Sequence, residues 1–187
     1  MIISLVSKVV NGVKGGVTKA LEGAADIASS VVDVTKNITV STLKETGEFA
    51  KEALDVPASI VKGALGGVGE VGASVITAVK GVVTGTIHGL RESGVSENTA
   101  IKGAVAQTLH SAMELGLNVG DVAVQSVKGA IEAVKQVGGD TVGATKTAVM
   151  AAVDTATELG IDTLKAVKSS LSAEAGGVKD IIDSLEK

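Results

Sequence analysis

The sequence contains no cysteine, tryptophan or tyrosine, and it has only one phenylalanine and one proline. Without cysteine, the chain cannot form disulfides, thiolate nucleophiles or cysteine-ligated metal and iron–sulfur sites. Large aromatic side chains usually dominate core and interface energies, so a core built without them must rely on many small contacts. The net charge is −4, with lysines and acids interspersed. This charge pattern lacks the basic patch that nucleic-acid binding requires.

Long apolar runs are also missing. The N-terminal "MIISLVSKVVNG" has no basic region before its short apolar run and does not resemble a signal peptide. No uncharged apolar stretch approaches the ~20 residues that a membrane-spanning helix needs. We therefore expect a cytoplasmic location, with the periphery of a membrane or granule as the second candidate.

The sequence is instead rich in valine, alanine, leucine and isoleucine, with 24 glycines, and these residues follow a repeat. In rows of 22 residues starting at Val13, position 2 is lysine in six of eight rows and position 14 is acidic in seven of eight. Positions 5 and 9 are mostly apolar, and we take the following side chains as the candidate assembly or lipid face: Val17, Val61, Val83, Val105, Val127, Val149, Leu21, Leu43, Leu65, Ile87, Leu109, Ile131 and Val153. Such self-similarity indicates a repeat architecture.

The repeat length favours helices. Twenty-two residues are two elevens, and eleven residues form three helical turns at ~3.67 residues per turn. At that pitch the apolar positions form a broad stripe opposite the charged positions, which is typical of an amphipathic helix. A β-solenoid is the alternative because valine, threonine and glycine suit strands, but strict apolar–polar alternation is absent. The sequence predicts an all-α fold of tandem 22-residue helical repeats.

The repeat also predicts where helices end. Position 16 is glycine in five consecutive rows: Gly72, Gly94, Gly116, Gly138 and Gly160. Two residues later stand Ser74, Ser96, Asn118, Asp140 and Asp162, which are all good N-cap residues. Glycine at C′ followed by an N-cap predicts a tight corner between two helices. We therefore expect a stack of antiparallel amphipathic helices of about 19 residues with Gly-x-[Ser/Asn/Asp] corners.

The first rows differ, because Ala28 and Ala50 replace the corner glycine. Residues 1–55 are therefore predicted to form an elongated helix or hairpin, with helix running through the region from Ile2 towards Leu54. Asp55 as N-cap and Pro57 in the first turn predict a new helix start. Residues 56–187 then form the short-helix stack, and the two regions belong to one continuous repeat domain.

Glycines also lie inside the predicted helices, at Gly63, Gly67, Gly81, Gly85, Gly103 and Gly129. Each costs ~1 kcal/mol of helix stability relative to alanine. Close approach between helix backbones is the usual compensation. The alternative is a marginal helix that forms only on a partner or lipid surface.

Candidate chemistry is limited to the two histidines. His88 and His110 occupy the same repeat position, and each precedes an acid by four residues, Glu92 and Glu114 respectively. On adjacent helices these four residues form a weak candidate for a His₂Glu₂ metal site; the alternative is solvated histidines on a polar face. No catalytic motif is present, so we expect no enzyme activity and no cofactor.

The repeat resembles the eleven-residue-repeat amphipathic proteins, namely synucleins, perilipin-type droplet coats, exchangeable apolipoproteins and late-embryogenesis-abundant proteins. The stretches "VGASVITAVKGVVTG" (71–85) and "VKGVVTGTIHG" (79–89) carry this resemblance in their valine, lysine, threonine and glycine content. The resemblance implies reversible binding to an apolar surface. Regular corners and the lack of bulky anchors depart from that pattern and favour packing between proteins.

The leading hypothesis is a structural helical-repeat protein that self-assembles into a filament, tube, coat or scaffold, with other copies of itself as partners. Repeat proteins bury their apolar faces only against neighbouring repeats, which is the reason to expect continuation between copies. The alternative is a peripheral protein of the lipid surface. No nucleic-acid partner is expected.

Overall fold

The computed structural model describes residues 2–23, 26–46, 55–72, 74–174 and 176–185. The regular structure in these ranges is entirely α-helical, as the sequence predicts. The helices are α1 Ile2–Leu21, α2 Ile27–Thr46, α3 Asp55–Glu70, α4 Val75–Glu92, α5 Glu97–Glu114, α6 Val119–Gln136, α7 Thr141–Leu159, α8 Ile161–Glu174 and α9 Gly176–Leu185.

The five predicted corner glycines all have positive φ, a conformation that residues with a side chain rarely adopt. At the corner after α5, Leu117 N–H donates to the Ala112 carbonyl at 2.9 Å. This bond spans Gly116 (φ 70°) and closes the helix end as a Schellman motif. The next helix starts at once, because the Asn118 side chain accepts a hydrogen bond from Asp121 N–H. Similar caps lie at Ser74, Ser96 and Asp140.

The corner after α7 differs from the prediction. Gly160 has φ 129° and ψ 164°, so the chain is extended there and does not form the left-handed turn of the other corners. Helix α8 consequently begins at Ile161, and Asp162 lies inside its first turn instead of preceding it. The prediction of Asp162 as an N-cap is wrong.

For the N-terminal region the sequence predicts an elongated helix or a hairpin, and the single elongated helix is wrong. Helix α1 ends at Leu21, Gly23 adopts φ 76°, and α2 begins at Ile27. Gly23 lies at position 11 of its row and not at position 16, so the corner pattern did not reveal it. Ala28 is helical as predicted, whereas Ala50 lies outside the described residues. Helix α3 starts at Asp55. Asp55 is therefore the first helical residue and not the predicted N-cap, which would precede the helix.

The helices form two layers. Helices α1, α3, α5, α7 and α9 contact one another in succession and form the odd layer; α2, α4, α6 and α8 do the same and form the even layer. Each helix also contacts the next one along the chain, which belongs to the other layer. Valine, alanine, leucine and isoleucine side chains fill the core that these contacts enclose.

Neighbouring helices of one layer run in the same direction. Along α4, Gly81, Gly85 and Gly89 lie against successive turns of α2, at Val31, Thr35 and Thr39 respectively. Each step of four residues on α4 is therefore matched by four residues in the same direction on α2. Gly63 and Gly67 of α3 meet Val13 and Val17 of α1 in the same order.

Candidate interaction surfaces

The internal glycines allow close contact between helices of the same layer. A Cβ atom on Gly85 would lie 2.5 Å from the Val32 carbonyl oxygen, and one on Gly63 would lie 2.7 Å from that of Val10. Gly67 and Gly129 have similarly close backbone oxygens on the preceding helix of their layer. Close backbone approach is thus confirmed at four of the six predicted positions. Gly81 instead meets the Val31 side chain at 3.1 Å, and at Gly103 nothing lies within 4 Å of the point that its Cβ would occupy.

The candidate assembly face lies inside the protein. Twelve of its thirteen side chains are buried in the core: Val17, Val61, Val83, Val105, Val127, Val149, Leu21, Leu43, Leu65, Ile87, Leu109 and Val153. Ile131 is partly buried and packs against that core. The repeat therefore identified the apolar face correctly, but it did not reveal that other helices of the same chain cover this face. An assembly or lipid surface must be sought among other residues.

Two lysines at position 2 form ion pairs with acids at position 14 of the neighbouring helix in the same layer. Lys14 Nζ lies 2.6 Å from Glu70 Oε1, and Lys36 Nζ lies 3.0 Å from Glu92 Oε2. Both pairs join position 2 of one row to position 14 two rows later. Because their side chains are 38–53% exposed, each pair adds little to stability.

The surroundings of Glu70 lower its pKa from the ordinary value of 4.5. The hydrogen bond from Lys14 is the main cause that lowers the pKa of Glu70; desolvation opposes it, and the positive charge of Lys14 and a hydrogen bond from Thr18 add to the lowering. Thr18 Oγ1 donates to Glu70 Oε2 at 3.2 Å and also to the Lys14 carbonyl. The ammonium and hydroxyl together hold the Glu70 carboxylate at the surface between α1 and α3.

The candidate metal residues are not brought together. His88 Nε2 donates to Gln136 Oε1 at 2.9 Å in the even layer, whereas His110 belongs to α5 in the odd layer. Glu92 pairs with Lys36, and Glu114 pairs with Lys62. Within the described part of the chain, no group of three or more potential ligands is positioned to hold a metal ion. The proposed His₂Glu₂ cluster is therefore wrong, because the two histidines face different neighbours.

A groove of about 510 Å³ crosses the outer surface of the even layer. One wall is the start of α2, with Ile27, Ala28, Val31 and Val32. The floor is the first half of α4, and the other wall carries Glu132 and Gln136 of α6. We call this feature the even-layer groove. Its volume lies within the ~300–1,000 Å³ that ligand sites commonly have.

The corresponding depression in the odd layer is smaller, about 170 Å³, and a lysine is among its lining residues. Lys62 of α3 reaches Glu114 of α5 and lies along the wall. Thr84 of α4 occupies the same repeat position as Lys62, but its hydroxyl donates to the Gly129 carbonyl at 3.0 Å. The short threonine leaves the even-layer groove open. Sequence reasoning missed this site, although the difference between Lys62 and Thr84 at position 6 was visible.

Exposed apolar side chains are concentrated in the second half of the described chain. The large ones are Met113, Leu115, Val137, Val142 and Ile161. Met113 and Leu115 lie at the end of α5, and Ile161 follows the end of α7. Gly139, after the end of α6, lies beside Glu97 at the start of α5, so α5 and α7 start at one edge and end at the other. We call Met113, Leu115 and Ile161 the apolar edge.

Comparison with known proteins gives no family for this chain. Neither the protein-family models nor the curated proteins include a match. Among the described helices, none is long and apolar enough to cross a membrane.

Proposed function

We propose that this protein is a non-enzymatic structural protein, a tandem array of 22-residue antiparallel helical repeats that associates with other copies of itself. The observation that carries the proposal is the recurring pattern of contact, in which each helix packs on the next helix and on the second one along the chain. Such an array buries its apolar faces against neighbouring repeats and presents an extended surface.

The apolar edge supports self-association through the second half of the chain. Its three side chains are 42–71% exposed, although each is large and apolar. The described part of α1 and α2 has no comparably exposed large apolar side chain. Contact between equivalent edges of two copies gives a closed pair, whereas a filament requires two different complementary surfaces.

Light scattering coupled to size exclusion, over a range of protein concentrations, tests this proposal. The wild-type chain should form a dimer or larger assembly that dissociates in a variant with Met113→Ser, Leu115→Ser and Ile161→Ser. The matched control carries Val137→Ser and Val142→Ser at the opposite edge and should assemble normally. A wild-type chain that stays monomeric at every concentration, with helicity retained, would contradict the proposal.

A peripheral lipid-surface protein is the second candidate, and the same apolar edge is the feature that favours it. The repeat's main apolar face is buried, so binding of the synuclein kind requires the helices to separate. Circular dichroism and flotation with anionic and neutral vesicles distinguish the two candidates. Vesicle binding that is lost in the triple serine variant, without self-association in buffer, would favour the lipid function.

A further inference from the structure

Lys80 stands at the even-layer groove without an ion-pair partner among the described residues. It occupies the same repeat position as Lys14 and Lys36, which pair with Glu70 and Glu92 respectively. By the same spacing its partner would be residue 136, but that residue is glutamine. Because residue 136 is glutamine, the Lys80 ammonium group has no carboxylate at the position that pairs with Lys14 and Lys36.

The other polar groups of the groove are already engaged. Thr77 Oγ1 bonds to Ser74 Oγ at 3.1 Å, and the Thr84 hydroxyl donates to carbonyl oxygens. Gln136 donates its Nε2 to Glu132 Oε1 at 3.1 Å and accepts from His88. Lys80 is thus the charged group of this lining that has donors to spare, and it stands beside an apolar wall.

We propose that the even-layer groove binds a single-chain amphiphile with a carboxylate head group. The chain lies against Ile27, Ala28 and Val32 at the start of α2, and the carboxylate meets the ammonium group of Lys80. The lining from Ser74 to Thr84 spans about 15 Å along α4 at 1.5 Å per residue, which suits an extended medium-length alkyl chain. Apolar contact supplies most of the affinity, and Lys80 selects the charge of the head group.

Glu132 on the opposite wall acts against this selection, because it is a carboxylate itself. Gln136 donates a hydrogen bond to one carboxylate oxygen of Glu132, and this bond does not neutralise the carboxylate. Removing the Lys80 charge and removing the Glu132 charge should therefore change the affinity for an anionic ligand in opposite directions. This pair of opposite effects separates charge recognition from loss of folding.

Isothermal titration with decanoate, below its micelle concentration, tests the proposal. Decyl glucoside and decyltrimethylammonium provide the same chain with a neutral and a positive head. Wild type should bind decanoate most tightly of the three. Lys80→Met should weaken decanoate binding by about fivefold and leave decyl glucoside unchanged. Glu132→Gln should tighten decanoate binding by about twofold.

Lys36→Met is the matched control, since Lys36 occupies the same repeat position but pairs with Glu92 and does not line this groove. It should bind decanoate as wild type does. Amide chemical-shift changes with decanoate should cluster at residues 27–32 and 74–84. The proposal is overturned if decanoate does not bind, if Lys80→Met retains the head-group preference, or if the shifts cluster at Met113, Leu115 and Ile161 instead.

Discussion

Two neighbouring helices, α4 and α5, have the same design and pack differently. Each has 18 residues, a serine N-cap and a glycine corner at its end. Along the side that meets the preceding helix of its layer, α4 has Gly81, Gly85 and Gly89. The same repeat positions of α5 hold Gly103, Gln107 and Ser111. All three α4 glycines lie against α2, whereas Gly103 has open space where a Cβ would be.

The difference shows that glycine inside these helices has two distinct roles. In α4 it permits a close contact between backbones, and the contact offsets the loss of helix propensity. At Gly103 no such contact exists, so only the loss remains. Identical substitutions in the two helices should consequently have effects of opposite sign.

The largest effect is expected for Gly85→Ala. The new methyl group would lie 2.5 Å from the Val32 carbonyl oxygen and 2.9 Å from Thr35 Cβ, so α2 and α4 must separate. Overpacking of this kind should lower the free energy of unfolding by about 2 kcal/mol, after the gain in helix propensity is included. Urea denaturation followed by circular dichroism measures it. An unchanged midpoint would mean that α2 and α4 are less tightly packed than described.

Gly103→Ala provides the opposite case. Because no neighbouring atom obstructs the added methyl group, the helix propensity of alanine should raise the free energy of unfolding by about 1 kcal/mol. The same denaturation experiment applies. Destabilisation here would reveal a contact of α5 that the structure lacks and would remove the distinction between the two helices.

A smaller effect is expected for a matched pair of threonines, Thr86 in α4 and Thr108 in α5. Thr108 Oγ1 donates to the Ala104 carbonyl at 2.7 Å, whereas the buried Thr86 hydroxyl has no partner among the described residues. Thr86→Val should therefore be neutral or stabilising by up to about 1 kcal/mol, while Thr108→Val should cost about 0.5–1 kcal/mol. Thermal unfolding of both variants shows whether the order holds; a reversed order would argue against it.

The smallest effect is expected for the Lys14–Glu70 ion pair. Helices α3, α4 and α5 each contribute an acid to such a pair. A lowered pKa in the folded state means that Glu70 contributes stability above its ordinary pKa of 4.5 and loses it as the pH falls through the folded value. Glu70→Gln should lower Tm at pH 7 by no more than about 2 °C. The two melting curves should converge below pH 4.5. A difference that persists at low pH would assign the effect to packing.

The sequence predicted the helices and their corners better than the surfaces. Gly116 and Asn118 carry local chemistry that needs no knowledge of the neighbouring helices, so their corner was predictable. Gly23 was missed because its corner stands five residues earlier in the repeat. Burial of Val83 or Leu109 was expected, but which surface covers them depends on the path of the chain. The groove depends on how far Lys62 and Thr84 extend, which only the packed helices reveal.

The alternation of helices between two layers has a consequence for how such a chain can change in length. Insertion or loss of one helix with its corner would transfer every later helix to the other layer and reverse its direction. Because each described helix contacts only the next two helices along the chain, the later helices would keep their contacts with one another, and only the contacts across the junction would change. Two helices gained or lost together would also leave every later helix in its original layer and direction. The array can therefore be lengthened or shortened by whole helices, with new contacts arising only at the junction.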